Sequence, residues 1–265
     1  MSPQVGDGAV LDRQRGWLDH LPPRLRDFAV LARWDRPIGT WLLLLPCWWG
    51  LALASPPSSP WPYLLFALGA VAMRGAGCTV NDLADREFDR RVERTRNRPL
   101  AAGRIGTAGA LAFFALQSVV GLAVLAALPR FAALVALLSV PLILVYPFMK
   151  RITWWPQAFL GVTFNWGALV GYATAAGRLD LPAFLLYAAG IFWTLGYDTV
   201  YAHQDKEDDI RIGVRSTALR LGAASRRWIA AFYALMLSLL AAAGGLAGLG
   251  WPFFALLLLP AAMLA

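Results

Sequence analysis

Apolar runs of near-membrane length alternate along the chain with short polar stretches. The runs cover about 38–54, 62–80, 108–128, 131–149, 155–176, 181–203, 228–247 and 251–265. Most approach the ~20 residues with which a helix crosses ~30 Å of hydrocarbon. The pattern therefore predicts an all-α, polytopic transmembrane helix bundle with about eight spans. The last run begins at Trp251-Pro252 and is still apolar at Ala265. Turn-forming residues punctuate the connections, as in Ser55-Pro56-Pro57-Ser58-Ser59-Pro60 and Gly248-Leu249-Gly250. Residues 1–36 carry mixed charge without the apolar core of a cleavable signal peptide. Within them Trp17, Leu18 and Leu21 lie beside Arg24 and Arg26, a pattern that suits a short amphipathic segment. The expected organisation is a cytoplasmic N-terminal segment over 1–36 and a transmembrane bundle over 37–265.

Composition agrees with the pattern. Of the 265 residues 58% are hydrophobic and only 15% charged, against about 45–50% and 25% in soluble domains. The net charge of +8 does not point to nucleic acid, because the basic residues are gathered in short loops rather than on one soluble face. Of the 24 Lys and Arg, 21 fall in the N-terminal segment and in the loops after the second, fourth and sixth runs. The opposite loops hold Arg130 and Arg178, and Arg74 lies inside the second run. By the positive-inside rule the N-terminus faces the cytoplasm. Cys47 and Cys78 both fall within apolar runs and read as small packing residues.

Two acidic clusters break this economy. Ten of the 16 acidic residues lie in Asp82–Glu93 and Asp198–Asp209, each following a membrane-length run and each on the predicted cytoplasmic side. Carboxylates at the end of a membrane helix are costly to desolvate and need a partner, water or a cation. Asp85 and Asp89 are four residues apart, as are Asp205 and Asp209. On a helix that spacing stacks the pair on one face, about 5–6 Å apart at Cβ. Like charges so placed repel, unless a divalent cation sits between them. Hard oxygen donors suit Mg²⁺, which is commonly held by one or two carboxylates together with substrate phosphates.

Arginines follow each cluster. Arg90, Arg91, Arg94, Arg96 and Arg98 follow the first, and Lys206, Arg211 and Arg215 the second, with Lys150-Arg151 on the same side. Such a mixture suits one diphosphate, its oxygens bridged by metal and forked by guanidinium groups. The plainer reading of any single arginine is a topology signal. A diphosphate bound at the membrane surface implies a lipid tail in the bilayer. Metal ions stabilise a leaving oxyanion, which leaves an allylic cation that aromatic faces can shield. Most of the twelve Trp are nevertheless expected at the interfaces or in packing.

The run Gly77-Cys78-Thr79-Val80-Asn81-Asp82-Leu83-Ala84-Asp85-Arg86-Glu87-Phe88-Asp89 resembles the first motif of the UbiA superfamily of intramembrane aromatic prenyltransferases. Tyr197-Asp198-Thr199-Val200-Tyr201-Ala202-His203-Gln204-Asp205-Lys206-Glu207-Asp208-Asp209 is similar to the second motif in the 4-hydroxybenzoate branch. Arg33, Asp35-Arg36-Pro37-Ile38-Gly39, Asn97-Arg98-Pro99-Leu100 and Tyr146-Pro147-Phe148-Met149-Lys150-Arg151 also match that branch, so the likeness runs over about 31–220.

The resemblance implies Mg²⁺-dependent transfer of a polyprenyl group from polyprenyl diphosphate to the ring carbon ortho to the hydroxyl of 4-hydroxybenzoate, in ubiquinone biosynthesis. It implies a bacterial cell inner membrane and a central cavity opening to the bilayer. It assigns Asn81, Asp85 and Asp89 to one Mg²⁺, and Asp205 and Asp209 to a second. Arg33, Arg94, Arg98, Lys150, Arg151 and Asp198 become substrate-binding candidates. Asp85, Asp205 and Arg151 are the catalytic ones, Asp205 as acceptor of the ring proton. Arg33 and Arg151 are the candidates for the benzoate carboxylate. Asp82 belongs to the motif without an assigned face. The family has nine helices where eight are counted, so either the sequence stops short of the ninth or the bundle closes differently. Naphthoate, homogentisate or a tetrapyrrole are alternative acceptors. A cation-coupled transporter is the reading from another class, disfavoured because the acids lie at helix ends rather than at the midplane.

Overall fold

The structure is a computed structural model; it describes residues 16–264 except 57, 94, 205 and 207–214. For Pro147, Lys150 and Leu264 only the backbone is described. All regular structure among the described residues is helical: α1 (Pro23–Leu31), α2 (Ile38–Ala54), α3 (Trp61–Ala84), α4 (Arg86–Asp89), α5 (Thr107–Ala127), α6 (Arg130–Leu137) and α7 (Val140–Val145) come first. They are followed by α8 (Met149–Ile152), α9 (Pro156–Phe164), α10 (Trp166–Ala176), α11 (Leu181–Gln204), α12 (Thr217–Leu221), α13 (Ser225–Leu246) and α14 (Trp251–Leu264). Four stretches are long and apolar enough to cross a membrane: α3, α5, α11, and Thr217–Leu246. Large apolar side chains such as Leu116, Val119, Leu122 and Leu134 stay exposed, as a lipid-facing surface requires.

Two of the expected spans are broken, each for a local reason. The run 131–149 bends at Ser139, whose Oγ donates to the Ala136 carbonyl at 2.7 Å. Pro141 then lacks the N–H that would continue the ladder. The run 155–176 breaks at Asn165, which is 1% exposed. Its Nδ2 donates to the Gly161 carbonyl at 2.9 Å and to Thr194 Oγ1 on α11 at 2.8 Å. The Asn165 N–H donates to the same carbonyl at 3.1 Å, so the side chain shares that acceptor with the helix ladder.

The contacts divide the chain into two compact units, one ending at Leu42 and resuming over 64–127, the other comprising 43–63 and 128–265. In the first, α1 and the turn before α5 share a core of Leu31, Leu100, Ile105 and Ala110, with Phe28, Leu83 and Phe113 against it. Leu31 and Leu100 are fully buried. Each lies two residues from an arginine of the first motif's surroundings, Arg33 and Arg98.

In the second unit, α2 and α10 approach at backbone distance. A Cβ at Gly171 would meet the Cys47 carbonyl, and one at Gly50 would meet the Ala168 carbonyl. Gly167 and Gly171 form a small-residue stripe of the kind that lets membrane helices close up without hydrophobic drive between them. Cys47 fills the remaining space and its Sγ–H donates to the Leu43 carbonyl at 3.4 Å. Gly171→Val is therefore expected to destabilise the detergent-solubilised protein by about 3 kcal/mol, on the scale of core overpacking. A thermal melt checks this; an unchanged Tm would mean that the crossing is not held tightly.

Candidate active site

The first acidic motif sits where α3 ends. The ladder does not stop there: the Asp85 N–H donates to the Asn81 carbonyl at 2.9 Å and the Asp89 N–H to the Asp85 carbonyl at 2.8 Å. Asn81, Asp85 and Asp89 therefore succeed one another at helical spacing, as the periodicity predicts. Asn81 and Asp85 are exposed, whereas Asp89 is 4% exposed. Asp89 Oδ2 accepts from Arg98 Nη1 at 3.0 Å, and its carbonyl accepts from Thr95 Oγ1 at 3.1 Å.

Asp82 is the hub. It is 2% exposed, and its Oδ1 accepts from Arg33 Nη2 at 2.6 Å and from Arg98 Nη1 at 3.3 Å. The result is a chain of alternating charge, Arg33–Asp82–Arg98–Asp89, in which buried carboxylates are matched by guanidinium groups. Arg33 also donates from Nη1 to the Val30 carbonyl at 3.1 Å. Its backbone has φ 61°, a left-handed conformation that an arginine adopts only when its surroundings impose it.

The basic loop is largely accounted for by its own folding. Arg86 donates to Thr107 Oγ1, Arg90 to Glu87 and to the Ala101 carbonyl, and Arg104 to Asp27 and to the Asn97 carbonyl. Among the described arginines of this loop Arg98 alone touches the motif's aspartates, Asp82 and Asp89; Arg94 lies outside the described residues. Arg74 is the residue that motif reasoning passed over. Its guanidinium lies where a Cβ on Gly39 would stand, so glycine at 39 leaves that space to the arginine. Arg74 Nε is buried with no hydrogen-bond partner, and Arg74 makes no ion pair among the described residues. A guanidinium so placed inside a membrane-length helix is a binding-site signal in itself.

The second motif belongs to the other unit. Asp198 is half-buried on α11; Asp205 and Asp209 lie outside the described residues. Arg151 is exposed on α8, and of Lys150 only its place in that helix is described. On α11 the rings of Trp193, Tyr197 and Tyr201 follow at one-turn intervals, with centroids 5.0 Å and 6.4 Å apart. Trp49 of α2 meets Trp193 edge-on at 5.2 Å. This ladder leads into an apolar cavity of about 430 Å³ whose walls include Trp49, Trp193, Met236, Leu240, Phe253 and Leu257.

The donor set of both motifs consists of carboxylates and one amide oxygen, which fits Mg²⁺ and not a soft metal. Among the described residues no three acidic, His or Cys side chains converge, and Asp89 is turned toward Arg98.

Residues 43–265 match the model of the UbiA prenyltransferase family. The chain belongs to that family. Within it, a 4-hydroxybenzoate polyprenyltransferase of Arabidopsis thaliana, named as mitochondrial, is 46% identical over 95% of this chain and 63% of its own length. The human protein of the same name is 46% identical over 91% of this chain and 66% of its own length. The chain thus spans less than two thirds of these relatives. A 4-hydroxybenzoate geranyltransferase of Lithospermum erythrorhizon is also 46% identical, over 91% of this chain and 80% of its length. Among solved structures, a UbiA homologue from Aeropyrum pernix K1 superposes with a TM-score of 0.72 at 28% identity, covering 86% of each chain. One from Archaeoglobus fulgidus, bound to GPP and Mg²⁺, gives 0.67 at 18% identity over 90% of this chain and 84% of that one, a likeness of fold.

These relatives correct one expectation. The bacterial inner membrane is not upheld: relatives at 46–48% identity from plant, fly and human are named as mitochondrial. Apolar spans and loop charges respond to a bilayer and its sidedness, and carry no mark of which organelle or organism provides it.

Proposed function

We propose that this UbiA-family protein transfers a polyprenyl group from polyprenyl diphosphate to the ring carbon ortho to the hydroxyl of 4-hydroxybenzoate, releasing diphosphate, in ubiquinone biosynthesis. The observation that carries the reading is the 46–48% identity, over 86–95% of the chain, to proteins of which most are named for that reaction. The row Asn81, Asp85, Asp89 supports it chemically. These residues would hold one Mg²⁺ and Asp205 and Asp209 a second, in keeping with the Mg²⁺ and GPP of the A. fulgidus homologue. Bound Mg²⁺ supplies charge neutralisation of the departing diphosphate.

The chain's own residues do the rest. Arg98, held by Asp82 and Asp89, stands next to the first motif and offers guanidinium hydrogens to phosphate oxygens. Lys150, Arg151 and Arg94 are further candidates for the same oxygens. The allylic C–O bond breaks with its electron pair leaving on the diphosphate. The prenyl tail occupies the apolar cavity of the second unit, and the Trp193–Tyr197–Tyr201 ladder offers ring faces to the cation. The ring carbon ortho to the hydroxyl forms the new C–C bond. The proton on that carbon then leaves to a carboxylate, Asp205 in this reading, and aromaticity returns.

The acceptor's carboxylate needs a cation. Arg33 is engaged by Asp82 and the Val30 carbonyl, and Arg151 is exposed. Arg74, with its unmatched Nε, is the better partner. Arg74→Met is expected to raise KM for 4-hydroxybenzoate about 30-fold, the scale of a lost charge-assisted hydrogen bond pair, with a smaller change in kcat. Because the buried Nε has no hydrogen-bond partner among the described residues, the variant's Tm is expected to be unchanged or higher. Steady-state kinetics and a melt test both; a lowered Tm with an unchanged KM would assign Arg74 to structure.

The Lithospermum relative favours one variation, a geranyl donor in place of a long polyprenyl one. Reconstituted protein given 4-hydroxybenzoate, Mg²⁺ and either donor is expected to form the adduct, detected by mass spectrometry, and to form none in EDTA. Absence of any adduct with both donors would overturn the proposal.

A further inference from the structure

α11 presents two faces to two different surroundings. On one, Leu186, Ala189 and Trp193 line the apolar cavity, and Tyr197 and Tyr201 carry the ladder on from Trp193. On the other, Tyr187, Gly190, Ile191 and Thr194 succeed one another at one-turn spacing. Tyr187 donates its hydroxyl hydrogen to the Val162 carbonyl on α9 at 2.7 Å. A Cβ at Gly161 would meet the Ile191 backbone, so α9 and α11 touch closely there. A Cβ at Gly190 would collide with Asn165 Oδ1, so the amide is seated in the gap that glycine leaves. Thr194 is fully buried, and its Oγ1 accepts from Asn165 Nδ2 at 2.8 Å.

The amide is a costly choice for this place. Asn165 is 1% exposed and its Nδ2 donates twice, yet its Oδ1 has no hydrogen-bond partner among the described residues. An orphaned buried oxygen lowers stability, and an apolar side chain would not. What the amide adds is direction. Between membrane helices no hydrophobic drive favours one rotation over another, whereas a hydrogen bond at Thr194 selects one. Trp193 is the preceding residue, about 100° round the same helix, so the bond that holds Thr194 also aims Trp193 into the cavity. We propose that Asn165, Gly190 and Thr194 form a rotational lock that holds the Trp193 and Tyr197 rings over the prenyl cation and so keeps water from it. They act through the rings and are positioning residues. The proposal rests on the reading of this protein as a prenyltransferase that passes through an allylic cation. Where the rings turn away, water replaces the ring carbon as nucleophile: its oxygen bonds to the cationic carbon, one of its protons passes to solvent, and a prenyl alcohol forms in place of the adduct.

The test is the ratio of prenyl alcohol to adduct formed by the full-length reconstituted protein from a prenyl diphosphate, 4-hydroxybenzoate and Mg²⁺, in water labelled in its oxygen. Only alcohol that carries the label is scored, because cleavage at phosphorus returns the donor's own oxygen. The ratio is read from molecules that turn over, so a smaller folded fraction does not move it. Thr194→Val removes the hydroxyl and keeps the shape; it is expected to raise the ratio about fivefold, the scale of one net hydrogen bond. Thr194→Ser keeps the hydroxyl and is expected to follow the wild type. Thr174→Val is the control, since that hydroxyl bonds the Val170 carbonyl of its own helix, and its ratio is expected not to move. A wild-type ratio in Thr194→Val overturns the lock. Should that variant not fold, Asn165→Ala, which removes the donor, carries the same expectation, and a wild-type ratio there overturns the lock equally. Wild-type protein that forms no adduct would instead overturn the proposed function, so the two failures are distinct.

Discussion

Asp85→Asn is expected to slow prenyl transfer about 10³-fold, equivalent to about 4 kcal/mol of lost transition-state stabilisation. The substitution keeps size and one oxygen but removes the charge that a divalent ion needs. Asp85 is exposed at the end of α3, and its backbone bonds to Asn81 and from Asp89 do not involve the side chain. Its Tm is therefore expected to match the wild type. This separation matters, because most acids of the motif are tied into the fold and Asp85 is not. Single-turnover rates across an Mg²⁺ series measure the effect. A variant with near wild-type rate at saturating Mg²⁺ would remove Asp85 from the metal site.

Asp82→Asn is expected to act on the opposite quantity. Asp82 is buried and neutralises both Arg33 and Arg98. Removing its charge leaves two partly buried guanidinium groups, and breaking a buried pair from one side costs about 3–5 kcal/mol. Arg33 also loses the partner that accompanies its left-handed backbone. The expected outcome is a large fall in Tm together with loss of transfer, since Arg98 no longer has a fixed place beside Asp89. Thermal unfolding in detergent, with transfer measured on the folded fraction, separates the two. An unchanged Tm would mean that solvent already screens the network.

The contrast between Asp82 and Asp85 shows how far sequence reasoning reaches. Helical spacing makes the row of Asn81, Asp85 and Asp89 visible, because the row depends only on local periodicity and its backbone bonds. Asp82's role depends on Arg33, 49 residues earlier, and no local pattern reveals that. Arg74 is visible as an arginine within a span, but that its buried Nε has no hydrogen-bond partner among the described residues is a tertiary fact. The long spans are legible for the same reason as the row: α3, α5 and α11 are uninterrupted apolar stretches. The breaks at Ser139 and Asn165 are not. Hydropathy averages over a single polar residue, and the effect of Asn165 depends on Thr194 on a different helix. Composition announces only a supply of rings; the one-turn register on α11 follows from Trp193, Tyr197 and Tyr201 being four residues apart.

Ring-carbon prenylation is the central claim, and isotope loss tests it most directly. 4-Hydroxybenzoate deuterated at both carbons ortho to the hydroxyl is incubated with the reconstituted protein, a prenyl diphosphate and Mg²⁺, and the adduct is weighed by mass spectrometry. Attack by the ring carbon predicts an adduct that has lost one of its two deuterons. An adduct that keeps both, as attachment through an oxygen would give, contradicts the account.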